Sequence, residues 1–264
     1  MRDYIRNLLK GIEEAKLGFS YEYLLVDNYP LGKQDGILDI AREQFPWVKT
    51  MDTGGNLGFG RGNNLAIKEA KGEYILLANP DLTVFPGELE KWINWMDEHP
   101  DVGISGPRTL NPDGTDQESC YRFYTIMMPL YRRTFLGKLP WAKHEVERFA
   151  MKGMDRTKEQ DVDWVQGSAM CIRRSLLDKI GGFDERYFMY LEDSDLCRQA
   201  WENGMRVTYT PVAKVVHYHQ RQSRLKKPWD IFTNKTIRYH VKSAYKYFQK
   251  YRGKPNPREL KERA

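Results

Sequence analysis

The sequence contains no long uninterrupted apolar stretch. A transmembrane helix needs about 20 consecutive apolar residues, and no run in this chain approaches that length. The amino-terminal residues also lack the pattern of a secretory signal peptide. These two features predict a cytoplasmic protein without a membrane-spanning helix.

Cysteine is scarce. The chain has three cysteines, Cys120, Cys171 and Cys197, which are an odd number and widely spaced. A disulfide framework uses an even number, and a zinc site uses closely spaced pairs. The sequence therefore indicates neither kind of site and favours a reducing compartment.

The sequence also lacks the two common glycine-containing motifs that bind nucleotides. The glycine-rich segment 54–62 has Gly58, Gly60 and Gly62 spaced two apart, which is not the dinucleotide pattern, and no Lys-Ser or Lys-Thr pair completes a phosphate loop. A glycine-rich loop before a helix still offers backbone N–H groups to a ligand. The sequence also has no nucleic-acid-binding motif, so we expect no nucleic-acid partner.

Strand-like and helix-like patterns alternate through much of the chain, which is typical of a layered α/β fold. Apolar residues make up 41% of the 264 residues and can supply a full core. Residues 107–161 follow no clear period and either cover a cleft or form a plain insertion. The predicted strands are 23–26, 47–51, 74–78, 82–85, 102–105, 163–165, 169–172, 206–209 and 214–217, and the predicted helices are 4–16, 36–45, 63–71, 86–98, 175–180 and 196–203.

The strand 74–78 ends at the sequence Asn79-Pro80-Asp81. Pro80 cannot donate a hydrogen bond to a sheet, so it turns the chain out of the strand. Open α/β sheets bind ligands at the carboxyl ends of their strands, and a carboxylate there suits a divalent cation. Asp81 is therefore either a cation ligand or part of a simple turn.

Three carboxylates crowd the four positions Glu192-Asp193-Ser194-Asp195, just before a predicted helix. Any of them could cap the helix, where a negative charge interacts favourably with the positive end of the helix dipole. Capping does not account for all three, because like charges repel and raise the pKa of one member. A raised pKa suits a general base, and a carboxylate cluster also suits a cation, so we predict a functional role for Asp193. His217 gains such a role only if the fold brings it near Asp81.

The order of these motifs resembles the family 2 glycosyltransferases, and in particular the rhamnosyltransferase-like branch that builds bacterial cell-surface polysaccharides. The resemblance covers residues 2–223. It implies a GT-A fold, which is an α/β/α sandwich with a mainly parallel central sheet, and inverting transfer of a sugar from a nucleotide-sugar to an acceptor hydroxyl. The motifs that carry the resemblance are Val26-Asp27-Asn28, Gly55-Asn56-Leu57-Gly58-Phe59-Gly60, Leu77-Ala78-Asn79-Pro80-Asp81, Gly167-Ser168-Ala169-Met170, Gly182-Phe183-Asp184-Glu185, Glu192-Asp193-Ser194-Asp195 and Val215-Val216-His217.

The resemblance also implies roles for single residues. Asn79 and Asp81 stand at the metal motif of the family, where Asp81 would bind Mg²⁺ or Mn²⁺, and His217 would reach the metal or the diphosphate. Glu192 and Asp193 match the catalytic Glu-Asp motif, with Asp193 as the base. The remaining implied positions line the nucleotide, donor-sugar and acceptor pocket: Asp27, Asn28, Gly58, Asn63, Trp164 and Gly167.

The chain departs from this family at its first element. Family members begin with an apolar strand before the helix that matches residues 2–16, whereas this sequence begins at that helix. Either the start of the gene is placed too late, or the sheet is trimmed and its neighbouring strand edges are exposed. The alternative function is therefore a catalytically silent protein that binds a nucleotide-sugar or acts as a scaffold. Asn79 is a second departure, since it replaces the first Asp of the metal motif.

The net charge of +6 is concentrated at the carboxyl-terminal end. We predict a glycosyltransferase domain over residues 1–225 and a basic, aromatic helical extension over residues 226–264. Such an extension either lies on anionic lipid headgroups, at the inner face of the plasma membrane, or is a solvated helix packed on the domain. The acceptor would be a glycan or a lipid-linked sugar. The basic residues are Arg221, Arg224, Lys226, Lys227, Lys235, Arg238, Lys242, Lys246, Lys250 and Arg252.

Overall fold

The computed structural model describes residues 2–29, 36–132, 134–218 and 234–263. Its helices are α1 (Arg2–Ala15), α2 (Ile37–Gln44), α3 (Phe59–Glu69), α4 (Glu88–Glu98), α5 (Met128–Tyr131), α6 (Pro140–Phe149), α7 (Arg174–Ile180), α8 (Glu192–Glu202), α9 (Lys235–Lys250) and α10 (Pro257–Arg263). Its strands are β1 (Tyr23–Asp27), β2 (Val48–Asp52), β3 (Tyr74–Ala78), β4 (Leu82–Val84), β5 (Val102–Leu110), β6 (Cys120–Tyr121), β7 (Gln160–Asp161), β8 (Trp164–Val165), β9 (Ala169–Arg173) and β10 (Arg206–His217).

The central sheet has the strand order β3-β9-β5-β10-β4. Strands β3, β5 and β10 run in one direction, whereas β9 is antiparallel to both of its neighbours and β4 is antiparallel to β10. The α/β fold class is confirmed, but the sheet is mixed rather than mainly parallel. The reason is that β9 starts beside the carboxyl end of β3, where Ala169 pairs with Ala78, and so must run back along it.

Helices cover both faces of this sheet. Successive side chains of a strand point to opposite faces, and β9 follows that rule. Met170 and Ile172 belong to a core cluster with residues of α7 and α8, whereas Ala169 and Cys171 belong to a second cluster with residues of α1 and α4. The three cysteines are buried and free.

Strands β1 and β2 form a separate parallel pair, in which Asp27 lies opposite Asp52. Helix α1 joins this pair to the central sheet through its apolar face. Leu8 packs in the cluster that includes Leu82, while Leu9 packs in the cluster that includes Leu25. The amphipathic helix predicted at the start of the chain is therefore the element that connects the two sheets.

Several element boundaries differ from the sequence-based expectation. Helix α3 begins at Phe59 and helix α8 at Glu192, each four residues earlier than predicted, so Gly60 and Gly62 lie inside a helix. Both glycines are in tight contact with other segments, since a Cβ atom would lie 3.0 Å from the side chain of Phe183 or Asn28 respectively. The last two predicted strands are one strand, β10, with an irregularity between Thr210 and Lys214.

The carboxyl-terminal helices α9 and α10 pack against α8 and the loop that precedes it. Asp195 is buried and accepts hydrogen bonds of 2.8 Å from Lys250 Nζ and from the Tyr251 hydroxyl. The Arg258 guanidinium binds Asp163 at 2.5 Å, with both side chains buried. The division of the chain at residue 225 stays a prediction.

Part of the predicted basic and aromatic extension lies outside the described residues. This part contains Lys226, Lys227, Trp229, Ile231 and Phe232, and the preceding basic residues Arg221 and Arg224 also lie outside the described residues. Across the part of the chain that the structure describes, none of the helices combines the length and the apolar character that crossing a bilayer requires.

Candidate active site

The residues of the candidate site meet at one edge of the central sheet. This edge holds the carboxyl ends of β3, β5 and β10 and the start of β9. The N–H of Asn79 donates to the carbonyl of Ser168 at 2.9 Å, and the N–H of Tyr218 donates to the carbonyl of Asp81 at 3.0 Å. These bonds hold the turns after β3, before β9 and after β10 side by side.

Asp81 and His217 face each other across this edge. The distance between Asp81 Oδ1 and His217 Nε2 is 3.4 Å, and the His217 side chain is only 2% exposed. The described residues include no group of three or more His, Cys, Asp or Glu side chains that could hold a metal. Among these described residues, Asp81 and His217 could supply two ligands to a cation.

The two side chains fit a divalent cation. Two ligands of an octahedral ion, each about 2.1 Å from it and at right angles, lie about 3 Å apart, which is close to the observed separation. A carboxylate oxygen and an imidazole nitrogen also suit Mn²⁺, which accepts both types of ligand.

The turn interpretation of Asn79-Pro80-Asp81 holds in part, because the N–H of Leu82 donates to the Asn79 carbonyl at 3.2 Å.

Asp193 lies in the first turn of α8, where the positive end of the helix dipole favours a carboxylate. Its Oδ1 accepts a hydrogen bond of 2.8 Å from the N–H of Ser194, and its Oδ2 accepts one of 3.3 Å from the N–H of Gly167. Burial nevertheless raises the pKa of Asp193 to about 6. A carboxylate with this pKa is ionised at neutral pH and is a stronger base than an exposed aspartate.

Glu192 precedes Asp193 and has a different environment. Its side chain is buried, and Oε2 has no hydrogen-bond partner among the described residues. Burial, together with the negative charge of Asp193, raises the pKa of Glu192 to about 8. Glu192 therefore holds its proton more strongly than Asp193 does.

The capping interpretation of the acidic cluster holds only in part, because Asp193 accepts a hydrogen bond in the first turn of α8 but no acidic side chain occupies the N-cap position. The residue before the helix is Leu191, in a left-handed conformation and without a side-chain capping bond. Asp195 points away from the site and is held by Tyr187, Gln199, Lys250 and Tyr251. The three carboxylates thus differ in environment, because Asp193 and Glu192 lie beside Gly167 and Gly60.

The glycine-rich loop bridges the end of β1 and the segment before α8. Asn28 donates to the Gly58 carbonyl at 2.8 Å and accepts from the N–H of Leu57 at 2.8 Å. Gly58 has a φ of +90°, and a Cβ atom there would lie 2.1 Å from the carbonyl oxygen of Phe188. The amide of Asn28 and the bare backbone of Gly58 therefore hold the loop against the segment before α8.

The other predicted pocket residues lie around this loop. Asp27 is buried at the end of β1 and accepts a hydrogen bond of 3.0 Å from the N–H of Tyr29. The amide of Asn63 donates to the Phe59 carbonyl, within α3. A Cβ atom at Gly167 would lie 3.1 Å from the Phe59 ring. Gly167 therefore packs between the end of the glycine-rich loop and the Asp193 side chain. The nucleotide-binding roles of these residues stay predictions.

Trp164 does not face the site. Its ring is 4% exposed, stacks on Tyr121 and Tyr124, and donates from Nε1 to the carbonyl of Arg122. The expectation that it lines the sugar pocket is wrong, because the excursion 107–161 packs over it and makes it a core residue.

Sequence reasoning also missed Gln117, whose Oε1 lies 2.7 Å from His217 Nδ1. No motif marked this residue, which comes from the same irregular excursion.

Comparison with known proteins identifies relatives of this chain. An N-acetylglucosaminyl-diphospho-decaprenol L-rhamnosyltransferase of Mycobacterium tuberculosis is 32% identical in an alignment of 210 positions that covers 74% of this chain and 66% of that protein. The chain thus spans just under two thirds of the length of this relative. The rhamnosyltransferase WbbL of Escherichia coli K12 is 28% identical over 95% of this chain and 89% of that protein.

Solved structures share the fold at low sequence identity. A structure of GalNAc-T7 with UDP, GalNAc and Mn²⁺ matches with a TM-score of 0.59 and 13% identity, over 86% of this chain and 41% of that one. The mannosyltransferase PcManGT from Pyrobaculum calidifontis, in complex with GDP-Man and Mn²⁺, matches with a TM-score of 0.54 and 19% identity, over 84% and 55% of the two chains. The GT-A fold implied by the resemblance is confirmed. The family model described as "Glycosyl transferase family 2" matches residues 2–181, and the chain belongs to this family.

Proposed function

We propose that this protein is a metal-dependent, inverting glycosyltransferase that transfers rhamnose from dTDP-rhamnose to a hydroxyl of a glycan or a lipid-linked sugar. The observation that carries the proposal is the position of two groups at one edge of the sheet. The pair Asp81 and His217, which suits a divalent cation, is linked through the turns at Asn79 and Gly167 to Asp193, a half-buried carboxylate with a raised pKa.

Asp81 and His217 would hold Mg²⁺ or Mn²⁺ together with the diphosphate of the donor. When bound, such an ion neutralises the charge that develops on the departing nucleoside diphosphate. The fold leaves these two side chains at the carboxyl ends of β3 and β10, where open α/β sheets receive phosphate-containing ligands. The glycine-rich loop, held by Asn28, would then contact the nucleotide from the β1 side.

Asp193 would act as the general base. An acceptor hydroxyl has a pKa far above neutrality, so its proton must leave as the new C–O bond forms. Gly167 and Ser194 donate backbone hydrogen bonds to the Asp193 carboxylate and fix its direction. The pKa of Glu192 is raised further than that of Asp193, which favours a protonated Glu192 beside an ionised base.

The arrangement favours inversion at the anomeric carbon. A single base that activates the acceptor leads to one displacement, in which the bond to the acceptor oxygen forms as the bond to the phosphate oxygen breaks. This argument is by analogy with the inverting glycosidases, in which one carboxylate activates the attacking water and no enzyme nucleophile takes part.

The names of two relatives support rhamnose as the transferred sugar, since both are rhamnosyltransferases. The mycobacterial name also contains a diphospho-decaprenol, which supports a lipid-linked acceptor. An acceptor of this kind lies in a membrane, and helix α9 provides a surface for an anionic bilayer. Val241 and Tyr245 are 54% and 69% exposed on this helix, next to exposed Arg238 and Lys242, and its sequence contains no acidic residue.

A panel of nucleotide-sugars with Mn²⁺ or Mg²⁺ tests the proposal. Release of the nucleoside diphosphate is measured for the wild type and for Asp193→Asn, with and without EDTA. We expect release from dTDP-rhamnose that requires the metal and that the substitution lowers by orders of magnitude, with little change in donor binding. Donor binding without turnover in the wild type would instead support the silent binding protein.

A further inference from the structure

We propose that Gln117 is a positioning residue for the cation site. Its side-chain amide keeps a hydrogen on Nδ1 of His217, so that Nε2 is the ring nitrogen that can bind a metal. The inference rests on the proposed function, because it takes Asp81 and His217 as the residues that hold the ion.

The orientation of the Gln117 amide follows from its partners. The Nε2 group donates to the backbone carbonyl oxygen of His217 at 3.2 Å and to Asn111 Oδ1 at 2.9 Å. A backbone carbonyl only accepts hydrogen bonds, so this side of the amide must be the NH₂ group. The opposite side, Oε1, then faces His217 Nδ1 at 2.7 Å.

The Asn111 amide is oriented independently in the same way. Its Nδ2 group donates to the Thr115 hydroxyl at 2.9 Å and to the backbone carbonyl of Asp116 at 3.4 Å. The Thr115 hydroxyl in turn donates to the Asp113 carboxylate at 2.6 Å. Each member of this series therefore has a fixed donor and acceptor side, from the exposed turn 111–116 to the buried histidine.

This series fixes the tautomer of His217. An amide oxygen can only accept, so Nδ1 must carry a hydrogen, and the lone pair of a neutral ring must be on Nε2. Nε2 is the nitrogen that lies 3.4 Å from Asp81 Oδ1. The other tautomer would place two lone pairs against each other at 2.7 Å. Gln117 thus orients the ring in the way that a hydrogen-bonded partner orients a metal-binding histidine.

The first test measures the tautomer in the metal-free protein. Nitrogen-15 NMR at about pH 8.5, above the ordinary pKa of histidine, distinguishes the two ring forms. The sequence has five histidines, so the His217 signals are assigned with a His217→Asn variant. We expect the Nδ1–H form in the wild type, retention of this form in Gln117→Glu, which keeps an acceptor, and a fall in its population in Gln117→Leu.

The second test measures binding of Mn²⁺ by electron paramagnetic resonance, alone and with dTDP. We expect the dissociation constant of Mn²⁺ with dTDP to rise about 10- to 100-fold in Gln117→Leu and to change much less in Gln117→Glu. Asn111→Ala is the matched control. It disturbs the same turn but leaves Gln117 with both of its contacts to His217, so the tautomer should be retained.

The outcomes separate this inference from the proposed function. A tautomer and a Mn²⁺ affinity that do not change in Gln117→Leu contradict the role of Gln117 alone. An Asn111→Ala variant that loses as much Mn²⁺ affinity as Gln117→Leu contradicts it too, because general distortion of the turn then accounts for the loss. Wild-type protein that binds no Mn²⁺ in the presence of dTDP contradicts the proposed cation site itself.

Discussion

The backbone N–H of Gly167 donates a hydrogen bond of 3.3 Å to Oδ2 of Asp193, a residue on another element and 26 positions later in the chain. The bond aims one carboxylate oxygen at the turn before β9, which itself contacts Asn79 through Ser168. The proposed base is thus positioned by the same turn that borders the cation pair. This contact, together with the raised pKa of Glu192, leads to a prediction about the two acidic residues.

We expect Asp193→Asn and Glu192→Gln to have unequal effects on turnover. Loss of a general base lowers the rate by about 10²- to 10⁴-fold, and the amide of Asn cannot accept the proton. Gln resembles the neutral carboxylic acid that the raised pKa of Glu192 favours, so its effect on kcat should stay below about tenfold. Steady-state kinetics with saturating donor measures both. Equal losses in the two variants would remove the distinction between the residues.

The pH dependence of the reaction should report the raised pKa of Asp193. The base acts only in its ionised form, and burial favours the protonated form, so activity must be lost as the pH falls through about 6. An ordinary aspartate, with a pKa of about 3.9, would keep full activity at pH 5. We expect kcat/KM to fall about tenfold for each pH unit below 6, while circular dichroism at the same pH values shows a folded protein. A flat profile down to pH 5 argues against Asp193 as the base.

Much of the fold could be predicted from the sequence because local patterns determine it. The strand Tyr74–Ala78 was predicted with its observed bounds, since an apolar run between polar turns has few alternatives. The direction of β9 could not be predicted in this way. That direction depends on where the long excursion re-enters the sheet, and its short, irregular elements carry no periodic signal.

The sequence likewise predicts only some of the residues of the candidate site. Asp81, Asp193 and His217 stand in motifs at strand ends or helix starts, and the structure brings Asp81 and His217 together. The environments that separate Asp195 from Asp193 depend on α9, through the contacts of Lys250 and Tyr251 with Asp195. Such long-range packing cannot be read from the spacing of four residues, and Gln117 was missed for the same reason.

Alanine substitutions at two glycines of the loop should separate the energetic cost of backbone strain from that of steric collision. Gly54 and Gly58 both have positive φ angles, +68° and +90°, so alanine costs about 1–2 kcal/mol at either position. Only at Gly58 does the new Cβ atom collide with a backbone atom, the carbonyl oxygen of Phe188, whereas nothing lies within 4 Å at Gly54. We expect Gly58→Ala to lower the free energy of unfolding by about 1–3 kcal/mol more than Gly54→Ala. Urea denaturation measures both values.

The same pair tests the proposed nucleotide site. Gly58→Ala should weaken binding of dTDP, because the loop can no longer pack against the segment before α8, while Gly54→Ala should bind nearly as the wild type does. Isothermal titration with dTDP and Mn²⁺ decides this point at a temperature where both variants are folded. Unchanged dTDP binding in folded Gly58→Ala would place the nucleotide away from this loop.

Binding to anionic membranes should depend on the exposed face of α9. Each basic residue near an anionic surface contributes about 1 kcal/mol, so the double substitution Arg238→Gln and Lys242→Gln should weaken partitioning by about 30-fold. Lys68→Gln with Lys179→Gln is the matched control, since these exposed lysines belong to α3 and α7 and change the net charge equally. Flotation with phosphatidylglycerol vesicles, at low and high salt, measures the partitioning. If both double variants float as the wild type does, or if salt has no effect, α9 is a solvated helix and the acceptor must be reached in another way.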